Sequence, residues 1–118
     1  MMKIGILSWE DYKARNLAIA RGTLQPKAND PKVWMPSLEA VAKILSEKNR
    51  ALLRTIQLKK PQSVSELAAL VDRKQGNVSR TLKTMSQYGI AELREIGGRA
   101  KQPIAHATEF QVELRQAL

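Results

Sequence analysis

The sequence contains no cysteine and only one histidine, His106. Without cysteine the chain cannot form disulfides, use a thiol nucleophile or build a Cys-ligated zinc site. One histidine is too few for a multi-histidine metal site or a Ser-His-Asp triad, and no base is available to activate a serine. Clustered acids of the kind that hold catalytic magnesium are also missing. These absences argue against an enzyme and predict that no metal or other cofactor is used.

Long apolar runs are missing as well. No apolar stretch of the sequence approaches the roughly 18–20 residues that a membrane span requires. The apolar stretch over residues 4–7 is too short for a signal peptide, and Glu10 and Asp11 follow it at once. We therefore expect a cytoplasmic protein that makes no contact with a membrane.

Acidic residues are scarce relative to basic ones. The 118 residues include 20 Lys and Arg against 11 Asp and Glu, which gives a formal net charge of +9. Hydrophobic residues make up 43% of the chain, as in folded globular proteins rather than disordered ones. The excess of positive charge favours a polyanionic partner, either nucleic acid or an acidic protein surface. Counted by halves, residues 1–60 carry +7 and residues 61–118 carry +2, so the N-terminal half is the more basic.

Proline and glycine divide the first third of the chain. Ser8 is placed to cap a helix that stops at Gly22. Three of the five prolines fall within residues 23–36, where they exclude a helix and favour an extended arm. We therefore predict an N-terminal helix and proline-containing arm over residues 1–36, and a second domain over residues 37–118.

The second domain begins with short helical patterns. Ser37 and Ser46 can each cap a helix. Ser65 is predicted to cap the next helix, which Asp72 and Arg73 interrupt. Short helices separated by short breaks are thus expected before the most informative stretch.

A longer helix is predicted over residues 74–88. Its apolar side chains Val78, Leu82 and Met85 recur at the spacing of one helix face and are expected in the core. The chain then alternates as two short strands joined by a turn at Gly97-Gly98. The expected fold class is mainly α with a small β-hairpin: a winged helix-turn-helix preceded by an N-terminal helix and an extended arm.

Residues 67–82, LAALVDRKQGNVSRTL, closely resemble the helix-turn-helix of MarR-like transcriptional regulators. The positions that match that family's pattern are Leu67-Ala68, Val71, Val78-Ser79-Arg80 and Leu82, and Tyr88-Gly89-Ile90 resembles the turn before its wing. The chain departs from the pattern at Asp72, Arg73 and Lys74, where the family has Gly, an apolar residue and a capping Ser or Thr. The resemblance implies a winged helix-turn-helix that binds double-stranded DNA.

A second resemblance lies in the N-terminal part of the chain. Its lead-in, its proline-rich arm and the segment Pro36-Ser37-Leu38-Glu39 look like those of small DNA-binding antitoxins of toxin–antitoxin pairs. This resemblance implies binding to the protein's own promoter, with the arm or the first helix holding a toxin.

The helix over residues 74–88 is expected to expose basic and amide side chains opposite its apolar face. Arginine can pair with O6 and N7 of guanine, glutamine or asparagine with adenine, and Ser or Lys with phosphates. Gly76 is expected to let the helix backbone approach the DNA. Arg99 and Lys101 at the hairpin tip are expected to reach an adjacent minor groove or its phosphates. The predicted DNA-contacting residues are Arg73, Lys74, Gln75, Gly76, Asn77, Ser79, Arg80, Lys83, Arg99 and Lys101.

Two functional hypotheses follow from these patterns. The leading one is a sequence-specific, double-stranded DNA-binding transcriptional regulator that acts as a homodimer, because one recognition helix contacts only a half-site. The alternative is a protein-interaction module whose main role is to bind and neutralise a partner toxin. His106 is expected to be a surface or packing imidazole, and residues 110–114 a final strand or helix.

Overall fold

The computed structural model describes residues 1–98 and 100–115 and has an α+β fold. The elements, in chain order, are β1 (Met2–Ile6), α1 (Trp9–Ala20), β2 (Val33–Met35), α2 (Leu38–Ile44), α3 (Glu47–Lys59), α4 (Val64–Val71), α5 (Gln75–Gln87), β3 (Ala91–Glu95), β4 (Lys101–Ala105) and β5 (Phe110–Leu114). None of the helices in these described ranges is long and apolar enough to cross a membrane.

The chain divides into two compact units. Unit 1 comprises Met1–Ala42 and Glu109–Leu118, and unit 2 comprises Lys43–Thr108. This division differs from the predicted boundary between residues 36 and 37. The main physical reason is that the last strand of the chain returns to pair with the first.

Unit 1 is built on a three-stranded parallel sheet in the order β2-β1-β5. Ile4 of the central strand lies opposite Val33 on one side and Val112 on the other, and Ile4 and Val33 are buried. The extended arm contains a short strand, β2, and the expected final element is a strand, β5. The apolar lead-in of the sequence is the central strand β1.

Gly5 lets the arm pack closely on the centre of this sheet. A Cβ atom at Gly5 would lie 2.3 Å from the ring of Trp34, well inside van der Waals contact. The guanidinium of Arg15, on α1, lies 4.8 Å from the centroid of the same ring. The ring of Trp34 therefore contacts both the central strand and α1 and holds the arm against them.

Asp30 ties the arm to two other elements of unit 1. Its carboxylate accepts hydrogen bonds from the Lys27 backbone N–H (2.8 Å), from Arg15 Nη2 (3.2 Å) and from Arg115 Nη2 (3.3 Å). The bond from the Lys27 N–H, with the charges of Arg115 and Arg15, lowers the pKa of Asp30 below its ordinary value of 3.8. One ionised carboxylate thus connects the arm, α1 and the end of β5.

Unit 2 consists of α3, α4, α5 and the antiparallel hairpin of β3 and β4. The side chains that form its core are Leu52, Leu53, Ile56, Leu67, Ala68, Val78, Leu82, Met85 and Ile90. Burial of Val78, Leu82 and Met85 confirms the apolar face predicted from the sequence. The core therefore fixes which side of α5 faces solvent.

Serine caps set the starts of most helices. Ser8 and Ser46 accept from the backbone N–H of Asp11 and Asn49, as predicted. The cap of α4 differs from the prediction: Ser63, not Ser65, accepts from the Glu66 N–H at 3.0 Å.

Candidate nucleic-acid interface

The outward side of α5 is a polar and basic surface. Val78, Leu82 and Met85 are fully buried, so the remaining side chains of the helix are turned away from the core. Among the predicted contact residues, those that the structure exposes on or beside α5 are Lys74, Gln75, Gly76, Asn77, Arg80 and Lys83, while Ser79 is half-buried. Six of these seven residues lie on the first nine residues of α5, and the seventh, Lys74, is its N-cap.

The charge of this surface has one sign. α5 contains no acidic residue, and its neighbour Asp72 lies in the turn before it. Within the part of the chain that the structure describes, Lys74, Arg80 and Lys83 take part in no ion pair. Their charges are therefore not neutralised by the folded chain and can act on a polyanion.

The N-terminus of α5 lacks the side-chain cap that α1, α3 and α4 have. Its N-cap is Lys74, whose side chain has no hydrogen-bond acceptor and makes no cap bond. The carbonyl of Lys74 accepts from the Val78 N–H at 3.1 Å, so the helix itself begins regularly. The first backbone N–H groups of a helix and its positive dipole end suit an anion. A phosphate oxygen fits the electrostatics of this end of α5.

The turn into α5 depends on a left-handed residue. Asp72 has φ 54°, a conformation that Asp tolerates better than most residues. The Arg73 N–H then donates to the Ala68 carbonyl at 3.0 Å, which closes the end of α4. The departure from the MarR-like pattern at Asp72 is thus accommodated without glycine.

Arg73, one of the predicted DNA contacts, makes two side-chain hydrogen bonds within unit 2. Its Nη1 donates to Asn49 Oδ1 at 3.1 Å, and its Nη2 lies 3.5 Å from Thr81 Oγ1. Asn49 in turn donates to the carbonyl of Ile44 at 3.0 Å. The half-buried guanidinium therefore links α3 to α5 and holds α5 in place, rather than facing outward with Arg80.

The hairpin carries the last two of the predicted contact residues, Lys101 and Arg99. Lys101 is exposed, but its cross-strand neighbour is Glu95, which reduces the net positive charge at that end. Arg99, the other predicted contact of the hairpin tip, lies outside the described residues. The turn itself is made by Gly97 and Gly98, both at positive φ, as the sequence predicted.

His106 has an acidic partner that is distant in sequence. Its Nε2 lies 3.1 Å from Glu92 Oε2, across the hairpin. Glu92 also accepts from Arg94 Nε at 3.2 Å, and this bond is the main reason that the pKa of Glu92 is lowered. The group is exposed, in agreement with a surface imidazole. Among the described residues, no three His, Asp or Glu side chains are grouped to hold a metal ion.

Helix α3 adds basic residues that the sequence analysis did not single out. Its exposed cationic side chains are Lys48, Arg50, Arg54 and Lys59, against the one acid Glu47. Counted by folded unit instead of by half-sequence, unit 2 carries thirteen Lys and Arg against five Asp and Glu, a net +8. Unit 1 carries seven against six, a net +1. The concentration of positive charge in unit 2 could have been found in the sequence by counting charges over the helices that share a core.

Unit 2 is thus a small, strongly basic α+β unit with an exposed polar and basic face on α5. Residues 44–112, more than half of the chain, match the model of the HVO_A0114 family. The chain belongs to that family. No curated protein matches the sequence.

Proposed function

We propose that the protein is a sequence-specific, double-stranded DNA-binding transcriptional regulator in which α5 lies in the major groove. The observation that carries the proposal is the exposed face of α5 with its N-cap, which includes the cations Lys74, Arg80 and Lys83, the amides Gln75 and Asn77, and no acid. The order α3, α4, α5 and hairpin is also the order of a winged helix-turn-helix. The net charge of +8 on unit 2 supports a nucleic-acid partner for the same unit.

The side chains of this face suit different parts of the duplex. Arg80 has the planar fork that pairs with O6 and N7 of guanine, and Gln75 and Asn77 carry amides that can pair with adenine. Lys74 and Lys83 are point charges suited to phosphates, which position the protein without reading the sequence. The proposal therefore separates one group of residues for specificity from another for affinity.

Gly76 supports a close approach by a partner. A Cβ atom placed there would meet no described atom within 4 Å, so packing within the chain does not require a glycine. Its φ is not positive either, so the backbone does not require one. Glycine inside a helix costs up to about 1 kcal/mol relative to alanine. A ligand that needs to approach the helix backbone gives a reason for that cost.

The direct test is Arg80→Ala. On a DNA site obtained by selection from random sequence, we expect the variant to lose roughly 1–3 kcal/mol, about 5- to 150-fold in affinity, because guanine loses its bidentate partner. Fluorescence anisotropy at one fixed salt concentration measures this. Lys83→Ala should weaken binding to selected and unrelated DNA alike, and should reduce the salt slope by about 0.9 for each copy that binds, because it removes one phosphate contact per copy.

The matched control is Arg21→Ala, which removes the same charge from an exposed position of unit 1. We expect it to bind the selected site nearly as well as the unsubstituted protein. Equal affinity of Arg80→Ala and the unsubstituted protein for that site would show that α5 is not the recognition helix.

A second candidate function is supported by α1. Trp9 on this helix is 64% exposed and Leu17 is 50% exposed, and the ring of Tyr12 stacks on Trp9 with centroids 6.0 Å apart. Exposed tryptophan on a helix is typical of protein interfaces. A protein partner held by α1, such as the toxin implied by the antitoxin resemblance, would use this surface. Co-expression with the product of the neighbouring reading frame tests it, since Trp9→Ala should abolish that complex and leave DNA binding unchanged.

A further inference from the structure

The two outer edges of the unit 1 sheet differ in how they are protected. β2 is only three residues long and is flanked by Pro31 and Pro36, which is how proteins keep an edge from pairing further. β5, at the other edge, is five residues long and contains no proline. Over residues 1–98 and 100–115, no strand pairs with its outer side. β5 is therefore the edge that can accept another strand.

The backbone of β5 shows which groups face outward. The Met2 N–H donates to the Glu109 carbonyl at 3.1 Å, and the Arg115 N–H donates to the Ile6 carbonyl at 3.2 Å. In a strand, alternate residues direct both backbone groups to the same side. Because the odd-numbered residues bond to β1, the N–H and C=O groups of Phe110, Val112 and Leu114 are directed to the outer edge.

The same three residues carry apolar side chains. Val112 is 40% exposed and Leu114 is 72% exposed. Both lie on the sheet face that includes the buried Ile4 and Ile6 of β1. A strand added next to β5 with apolar side chains on this face would extend the buried row of the sheet.

We propose that a second copy of this chain pairs its β5 antiparallel to β5 of the first, with the two-fold axis at Val112. Val112 then faces Val112 of the second copy, and Phe110 faces Leu114 of the second copy. In this register the outward N–H and C=O groups of Phe110, Val112 and Leu114 on each strand all bond to the facing residue of the other strand. The result is one six-stranded sheet across a symmetric, self-complementary interface.

The polar face of β5 is complementary in the same register. Gln111 faces Glu113 of the second copy, and Glu109 faces Arg115 of the second copy. Opposite charges directly across a strand pair stabilise it, and like charges destabilise it. Arg115 already donates to Asp30 and Glu113 through Nη2 and Nε, which leaves its Nη1 as the group that neither bond uses.

The neighbouring registers oppose acid to acid. Moving the axis one residue back, to Gln111, places Glu109 against Glu113 of the second copy. Moving it one residue forward, to Glu113, places that carboxylate against its own symmetry mate. The register centred on Val112 is the one of the three that contains no acid–acid pair and has an acid–base pair at each end.

This proposal rests on residues of unit 1 and does not depend on DNA binding by unit 2. Failure of the Arg80→Ala test would leave the dimer untouched, and failure of the tests below would leave the DNA surface of α5 untouched. The two proposals can therefore fail separately.

Engineered cysteines test the register, because the natural sequence contains none. In a hydrogen-bonded antiparallel pair the Cα atoms are about 5.5 Å apart, within the range that a disulfide bridges. Val112→Cys should therefore cross-link to itself on mild oxidation. Phe110→Cys alone places the two thiols about 14 Å apart, and Leu114→Cys alone does the same. We expect each to give less than about one-tenth of the Val112→Cys cross-link.

Mixing Phe110→Cys protein with Leu114→Cys protein should restore the cross-link, because these positions face each other in the proposed register. Cross-linking of Phe110→Cys or Leu114→Cys to itself as efficient as that of Val112→Cys would overturn the register. Absence of a Val112→Cys cross-link at protein concentrations where the chain is dimeric would overturn the interface.

Val112→Pro tests the edge without cross-linking. Proline removes the outward N–H of Val112, which β1 does not use, and leaves the bonds between β1 and β5 in place. Equilibrium sedimentation should show a dimer for the unsubstituted protein and for Val112→Ala, and at least about a tenfold weaker dimer for Val112→Pro. A monomeric unsubstituted protein, or a Val112→Pro dimer of undiminished affinity with unchanged circular dichroism, would refute the proposal.

Discussion

The two units of this protein use their basic residues in different ways. In unit 1, three of the seven basic residues pair with acids of the same unit: Arg15 and Arg115 share Asp30, and Lys3 lies 3.9 Å from Glu113. In unit 2 the cations of α5 have no acidic partner among the described residues, and the net charge rises to +8 against +1. Cations with paired acids hold a fold together, whereas cations without them attract a polyanion from outside.

The glycines show the same contrast. Gly5 of unit 1 is required by the ring of Trp34 above it, so it serves packing. A Cβ atom at Gly76 of unit 2 would meet nothing within 4 Å, so this glycine is not required by packing. Packing thus requires the glycine at position 5 of unit 1 and does not require the glycine at position 76 of unit 2.

The largest expected effect is on the salt dependence of binding. If Lys74, Lys83 and Lys101 of two copies each neutralise one phosphate, DNA affinity should fall about 10³-fold between about 50 and about 200 mM salt. Self-association through β5 should change by less than about tenfold over the same range, because its few ion pairs are near the surface. Anisotropy and sedimentation titrations measure the two. If DNA affinity changed with salt as little as the affinity of self-association does, the cations of unit 2 would not be acting on phosphates.

A smaller effect is expected from a pair of glycine substitutions. Gly5→Ala should destabilise unit 1 by roughly 1–3 kcal/mol, because the new methyl group overlaps the ring of Trp34. Both tryptophans, Trp9 and Trp34, belong to unit 1, so their fluorescence during urea unfolding reports this unit. Gly76→Ala is the control: it should stabilise unit 2 by up to about 1 kcal/mol and weaken DNA binding. A destabilising effect of Gly76→Ala would mean that its glycine serves the fold after all.

The smallest effect concerns pH and Asp30. Because its pKa is lowered in the folded state, the unfolded state binds the proton more readily, and stability falls as the pH drops. The contribution is fully present above the ordinary value of 3.8 and is lost as the pH falls through the lowered pKa. Asp30→Asn should be less stable than the unsubstituted protein at pH 7 and should lose this part of the pH dependence. Tryptophan fluorescence during acid titration measures it, with Asp11→Asn as the control for one removed charge.

Local signals predicted much of unit 2. The spacing of Val78, Leu82 and Met85 indicated which face of α5 is buried, because that spacing depends only on helix geometry. The positive φ of Gly97 and Gly98 follows from residue chemistry in the same way. The start of α4 was missed although the signal was present, since Ser63 stands three residues before Glu66, the spacing of a capping box.

Contacts between distant residues could not be predicted in this way. The role of Arg73 depends on Asn49, which lies on another helix and is brought near only by the packed core. The sheet of unit 1 depends on the pairing of β1 with β5, in which Met2 lies opposite Phe110. Nothing in the sequence of either strand indicates which strand it pairs with. DNA binding, the protein partner of α1 and the dimer remain predictions that the experiments above test.

The pairing of β1 with β5 also bears on the order in which the protein folds. Unit 2 is one continuous segment whose contacts lie mostly between elements that are adjacent in the chain, which is the kind of topology that folds quickly. Unit 1 needs its first strand to meet a strand that the ribosome delivers after all of unit 2. During synthesis, the helices of unit 2 can therefore assemble before β5 is available to pair with Ile4 and Ile6 of β1.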